Sequence, residues 1–294
     1  MFDLRYHVAS LTAVFVALVI GILVGVGLSG KGFVNDAERG NLTRQIADLR
    51  LERDADREAL DAAGKGAQAL QEFSDSAYPI LAKGRLTGKR VAVLFVGPID
   101  QGVSFAIGKA VRDAGGRVVR TRAIGVPIEV KAIQDALIRQ PALRQFRGPD
   151  RLKDLGRALA DELALGGKTP LWEALDEVIV QERQGPSAPP VDAVVVARSA
   201  APQRGATKAL LSGAYSGLAR SGVPAVGTET VDTPTSAVPA FAAAGLSTVD
   251  SVNTSAGRLA LLLLLSGAEP GNYGIRTTAG DGVLPPVPPV PTPG

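Results

Sequence analysis

The chain has no cysteine, one histidine, one methionine and one tryptophan in 294 residues. Without cysteine there is no thiol nucleophile, no disulfide and no thiolate metal site. The single histidine is His7, inside the first apolar stretch, so the remainder offers neither a Ser-His-Asp triad nor an imidazole zinc site. No G-x-S-x-G elbow occurs. Gly166-Gly167-Lys168-Thr169 imitates the end of a phosphate-binding loop, but Glu162 stands where the loop's first glycine is required. Gly97 to Gly102 is not G-x-G-x-x-G. Glu229, Asp232 and Asp250 fall near predicted strand ends, where open-sheet sites form, and read as caps or solvated loop charges. These absences point to a protein that is not an enzyme, with no catalytic, cofactor-binding or metal-binding residue to name. Aromatic residues make up 4% and rarely stand among the basic ones, which argues against nucleic acid as a partner.

What is present begins at the N-terminus. Tyr6 to Gly30 contains no Asp, Glu, Lys or Arg. A helix of that length rises about 37 Å at about 1.5 Å per residue, enough to cross a hydrocarbon core of about 30 Å. Residues 1–31 therefore read as a single-pass transmembrane anchor. Gly25, Gly27 and Ser29 imitate a signal-peptide cleavage site, but the apolar stretch is longer than a signal core, and the reading is an uncleaved anchor. Arg5 precedes the span while Lys31, Arg39 and Arg44 follow it, so basic residues give no clean orientation. The short N-terminal flank suits a signal-anchor with the C-terminal domain extracytoplasmic. Tyr6 and His7 fit the headgroup level. Within the span Ala9, Ala13, Ala17, Gly21, Gly25 and Ser29 recur every four residues, a small-residue ridge of the kind on which two membrane helices pack.

Beyond the span the composition turns to Asp, Glu, Arg, Leu and Ala. Positions alternating by four and three read Leu42, Ile46, Leu49, Arg53, Asp56, Leu60, Ala63, Ala67 and Leu70, the spacing of a heptad seam. Arg53 and Asp56 interrupt it, and Gly64 and Gly66 weaken its end by about 1 kcal/mol each. A short coiled coil over 34–78 is the reading; a lone amphipathic helix folding back on the following domain is the alternative. Gly30 and Gly32 supply a hinge. Coil and span together predict a homodimer or higher homo-oligomer.

Residues 85–275 read as an α/β domain with an open, mostly parallel sheet. KRVAVLFVGP (Lys89 to Pro98) and DAVVVA (Asp192 to Ala197) are short continuous apolar runs, the mark of strands covered on both faces. Arg117 to Ile124, Pro224 to Gly227 and Ser247 to Val249 supply further strands. Helical stretches run from Gly102 to Ala114, through Ile128 to Gln181 with breaks near Pro141, Gly148, Gly166 and Pro170, and from Thr207 to Ser221. A last one, Ser255 to Ser266, is capped by Asn253 or Thr254 and stopped by Gly267. Strands alternating with helices imply the parallel sheet. Leu259 to Leu265 is too short to span a membrane and reads as core. Residues 276–294 form a Pro-rich tail expected to be disordered.

The formal net charge is only +3, yet Arg85 to Arg122 carries eight basic residues against Asp100 and Asp113. That excess reads as a solvated face, with anionic headgroups or envelope polymers as the alternative.

Two segments carry a resemblance. LRYHVASLTAVFVALVIGILVG, Leu4 to Gly25, resembles the N-terminal signature of the actinobacterial copper transporter family named after MctB. VDSVNTSAGRLALLLLLSGAEPGNYGI, Val249 to Ile275, is similar to that family's C-terminal segment. Together they cover about a sixth of the chain, and the order of anchor, coil and α/β domain agrees. The resemblance implies a membrane-associated envelope protein linked to copper efflux. Some relatives instead resemble envelope or cell-division factors paired with a partner similar to thiamine pyrophosphokinases. The residues constrain what copper means here. Copper(I) favours Cys or Met sulfur and copper(II) imidazole, and Met1 and His7 are the only such side chains. Copper handling would then be indirect or use oxygen ligands.

Overall fold

The uninterrupted apolar run makes helix α1, Leu4–Ser29, because in a segment without water every backbone polar group has to bond internally. The computed structural model describes residues 4–29, 36–287 and 289, with side chains over 7–27 and from 39 onward. The hinge at Gly30 and Gly32, Lys31, the side chains of Tyr6 and Ser29, and residues 288 and 290–294 of the tail lie outside the described residues. His7–Gly27 has a mean hydropathy of 2.6, and among the described residues this is the one helix long and apolar enough to cross a membrane. The charged segment that follows is a single helix, α2, Asp36–Ala82, which continues through Gly64, Gly66 and Pro79. The chain divides into one unit ending at Leu70 and a second beginning at Gln71.

In the second unit the apolar runs become strands. In chain order these elements are β1 (Arg90–Val96), α3 (Gln101–Asp113), β2 (Arg117–Ile124), α4 (Val130–Ile138), α5 (Leu152–Leu165), α6 (Pro170–Ala174), α7 (Asp176–Ile179), β3 (Val180–Gln184) and β4 (Ala193–Arg198). Then come α8 (Gly205–Leu218), β5 (Ala225–Thr228), α9 (Val238–Ala243), β6 (Ser247–Val249), α10 (Ser255–Leu265) and β7 (Asn272–Tyr273). The sheet order is β3-β2-β1-β4-β5-β6-β7. All pairs are parallel except β2 with β3.

Alternation along each strand splits the core in two. Ala92, Leu94, Val96, Val194 and Val196 point to one face, against α4, α5 and α8. Val91, Val93, Phe95, Val195 and Ala197 point to the other, against α3, α10 and the end of α2 at Tyr78 and Ala82. From Leu259 through Leu265 α10 is covered all round, each residue being at most 4% exposed, so the leucine run is core. Thr254 caps it, its hydroxyl accepting from Gly257 N at 3.0 Å. Two strands were not foreseen. β3 begins in the last two residues of the stretch read as helical and continues to Gln184, and β7 is only two residues long.

Candidate functional site

On α1 the small residues Ala9, Ala13, Ala17, Gly21 and Gly25 are all exposed within the chain. A Cβ built on Gly21 or Gly25 would meet no atom within 4 Å, so nothing inside this chain requires glycine there. Steps of four residues drift about 40° each, so the ridge winds around the helix and only consecutive members share a face. On α2, Leu42, Ile46, Leu49, Leu60 and Leu70 are 47–73% exposed, and Ala63 and Ala67 are exposed as well. Arg53, which interrupts that seam, pairs with its neighbour Asp54 at 2.8 Å.

The sheet places its topological switch point between β1 and β4, the crevice where open α/β folds bind ligands. Here the crevice is narrow, about 230 Å³, and loop contacts close it. Gly97, at φ +94°, lets the β1 end pass so close to the β4 loop that a Cβ would stand 2.8 Å from Ser199 Oγ and Ala200 Cβ. Ser199 Oγ donates to Pro98 O at 2.5 Å, and Ser199 N and Ala200 N both donate to Val96 O. The N-terminus of α3, which would face a phosphate there, is taken by Asp100, whose Oδ1 accepts from Val103 N at 2.9 Å.

The neighbouring carboxylates are equally committed. Glu229, after β5, accepts from Ser236 Oγ (2.8 Å), Ala237 N (2.6 Å) and Arg276 Nη1 (3.1 Å). Asp250, after β6, accepts from Ile275 N (3.0 Å) and Thr278 Oγ1 (2.6 Å). Asp232 stays exposed, 3.5 Å from Asn253 Nδ2. Among the described residues no three carboxylate or imidazole groups gather in a way that could hold a metal ion. Glu229 and Asp250 are clamps for the segment after β7.

The basic run is not one solvated face. Arg85, Arg120 and Arg122 are 4%, 2% and 1% exposed. Arg120 donates to the carbonyls of Leu163, Pro186, Ser187 and Pro189, and Arg122 to those of Thr121, Gln184 and Gly185 and to Ser187 Oγ. Neutral carbonyl oxygens rather than carboxylates accept their hydrogen bonds, and burial, together with the nearby Arg183 and Arg120, brings the Arg122 pKa down to about 10. The two guanidiniums fix the connection from β3 to β4.

A profile described as "Copper transport outer membrane protein, MctB" matches residues 1–285, from α1 through the sheet. The chain belongs to the MctB family. Curated copper transporters named MctB from Mycobacterium bovis and Mycobacterium tuberculosis are each 32% identical over 123 residues. That stretch is 41% of this chain and 37% of each relative, so the chain spans little more than a third of the length of the curated MctB proteins it matches. The clamp residues Arg276 and Thr278 of this MctB-family chain lie in the segment that the sequence assigns to its tail. The one sequence signal for them is a carboxylate standing directly after a strand, at Glu229 and at Asp250.

Proposed function

We propose that this chain is a membrane-anchored envelope protein of copper homeostasis that acts without binding copper through sulfur or imidazole. In this reading α1 is the anchor, the α1 ridge and the α2 seam join two or more copies, and the α/β domain is extracytoplasmic. The family match running from anchor to sheet carries it, supported by relatives that bear the name copper transporter. The exposed ridge and seam support self-association, since neither is covered within the chain. A strain lacking the gene should lose copper tolerance and regain it on complementation; unchanged tolerance would remove copper from the reading. The full chain in detergent, titrated with copper(I) and with copper(II), should show no tight stoichiometric binding. Tight binding would reveal an oxygen-ligand site and make copper a direct cargo.

A second reading is a non-enzymatic scaffold for an envelope or cell-division protein. What favours it is the donor chemistry: oxygen ligands select copper poorly, and Glu229 and Asp250 already spend their oxygens on the protein. Reciprocal pulldowns from envelope extracts should recover one such partner with the chain. Recovery of none would count against the scaffold.

A further inference from the structure

A cavity of about 770 Å³, which adjoins the switch-point crevice at Arg198, lies between the β4–α8 connection, α8, α9 and the start of α5. Lys153, Arg198, Arg204 and Lys208 line it, and no described carboxylate does. On this domain surface some cations stand beside acids, Lys109 with Asp113, Lys131 with Asp135, Arg151 and Arg157 with Asp154, Arg183 with Asp176, while others such as Lys89, Arg112, Arg144 and Lys168 form no ion pair among the described residues. The cavity gathers cations of the second kind: Lys153, Arg204 and Lys208 form no ion pair among the described residues, and Arg198 donates only to the neutral carbonyl of Thr235, at 2.8 Å.

Two further observations point into the same space. Tyr215 lines the cavity at 4% exposure, its ring edge-on to Phe241 at 5.0 Å, and its hydroxyl has no hydrogen-bond partner among the described residues. Unlike the sealed Tyr78 hydroxyl, that of Tyr215 keeps contact with solvent, so an outside acceptor can reach it. At the mouth, α8 starts without a side-chain cap, and Gly205, at φ +53°, has open space where a Cβ would be. The first-turn N–H groups of a helix carry partial positive charge and add to the cations. Leu211 and Ala240 supply an apolar wall.

We propose that this cavity binds an organophosphate: a phosphate group held by the four cations and the start of α8, with an apolar body over Leu211 and Tyr215. Four cations along one cavity without a described carboxylate favour a dianion over a single carboxylate, and the volume suits a small molecule, for which about 300–1,000 Å³ is typical. The phosphate could belong to a soluble ester or to a lipid headgroup; the recognition chemistry is shared. The inference stands apart from the copper reading and can fail without it.

The test uses the full chain in neutral detergent and calorimetric titration with phenyl phosphate, inorganic phosphate, phenol and dioctanoyl phosphatidic acid. Phenyl phosphate should bind more tightly than inorganic phosphate, and phenol should not bind. The double variant Arg204→Gln/Lys208→Gln should weaken phenyl phosphate by about tenfold or more, as expected for hydrogen bonds to a charged group. Both exposed cations can be changed without touching the core, and an unaltered unfolding temperature confirms it. Tighter binding of phosphatidic acid, lost in the double variant, assigns the site to a lipid; tighter binding of phenyl phosphate assigns it to a soluble ester. Absence of phenyl phosphate binding, binding equal to that of inorganic phosphate or phenol, or binding that the double variant leaves unchanged would each overturn the proposal.

Discussion

Arg276 closes onto Glu229, with Nη1 3.1 Å from Oε1 and the carboxylate only 1% exposed. The guanidinium is 24% exposed, so the pair sits at the lip of the core rather than inside it. Removing one partner of a fully buried pair costs about 3–5 kcal/mol, and the open side of Arg276 reduces that. Glu229→Gln should therefore lower stability by about 2–3 kcal/mol in urea unfolding, since hydrogen bonds from Ala237 N and Ser236 also lose their charged acceptor. A loss below about 0.5 kcal/mol, the size of an ordinary surface change, would show that the clamp does not hold the segment after β7.

α5 and α8 approach backbone to backbone. A Cβ on Gly156 would overlap Leu210 O, and one on Gly213 would overlap Lys153 O. Overfilling a packed contact costs about 1–3 kcal/mol and more when backbone has to move. Gly213→Ala should lower the unfolding temperature by about 4–10 °C for a domain of this size. An unchanged melting curve would contradict the close crossing. The exposed Gly222, at φ +82° with open space around it, is a control in which only backbone strain is added on substitution.

Asp192 fixes the start of β4 to the start of β1, its Oδ2 accepting from Arg90 N at 2.8 Å and Arg90 Nε at 3.2 Å. Burial alone would raise this carboxyl, but the two Arg90 bonds and the positive charge nearby outweigh it and hold the group below its ordinary value of 3.8. A carboxyl depressed on folding contributes stability above the unfolded pKa and loses it as pH falls through the lower, folded one. Asp192→Asn should accordingly destabilise by about 1 kcal/mol near neutrality, and the difference from the parent should shrink below about pH 4. A gap that persists unchanged to lower pH would mean the contribution is steric rather than ionic.

Since the chain contains no cysteine, single cysteines introduced on α2 report contacts between copies directly. Leu49→Cys lies on the heptad seam, and Leu51→Cys, 69% exposed, lies about 200° away around the helix. Oxidation in membranes should join Leu49→Cys chains into covalent dimers and leave Leu51→Cys chains single. Equal crosslinking at both positions would mean encounter by collision and would dispose of a register-specific coil.

Much of the fold is written locally. The KRVAVLFVGP and DAVVVA runs become β1 and β4 because strands covered on both faces tolerate no polar side, and the leucine run becomes α10 for the same reason. Other features depend on partners distant in sequence. RVVRTRAI looks like a strand with a charged, wet face, yet Arg120 and Arg122 are buried because carbonyls of residues 184–189 reach them across the fold. VQERQ has no apolar pattern and is a strand only because β2 presents an open edge. The cations of the cavity come from the start of α5, the end of β4, the β4–α8 connection and the first turns of α8, and nothing in their spacing announces that they line one cavity.

The two ends of the sheet decide how other proteins can approach it. β3 is antiparallel, and Gln181 through Gln184 are exposed and polar, with Glu182 and Arg183 at its centre. β7 pairs for only two residues before Gly274 N turns away to bond Gly282 O at 3.0 Å. Short and charged borders of this kind discourage an incoming strand from extending the ladder. The domain is thus guarded against edge-to-edge aggregation at both margins, and a macromolecule that docks on it would do so against helices and loops rather than by adding a strand.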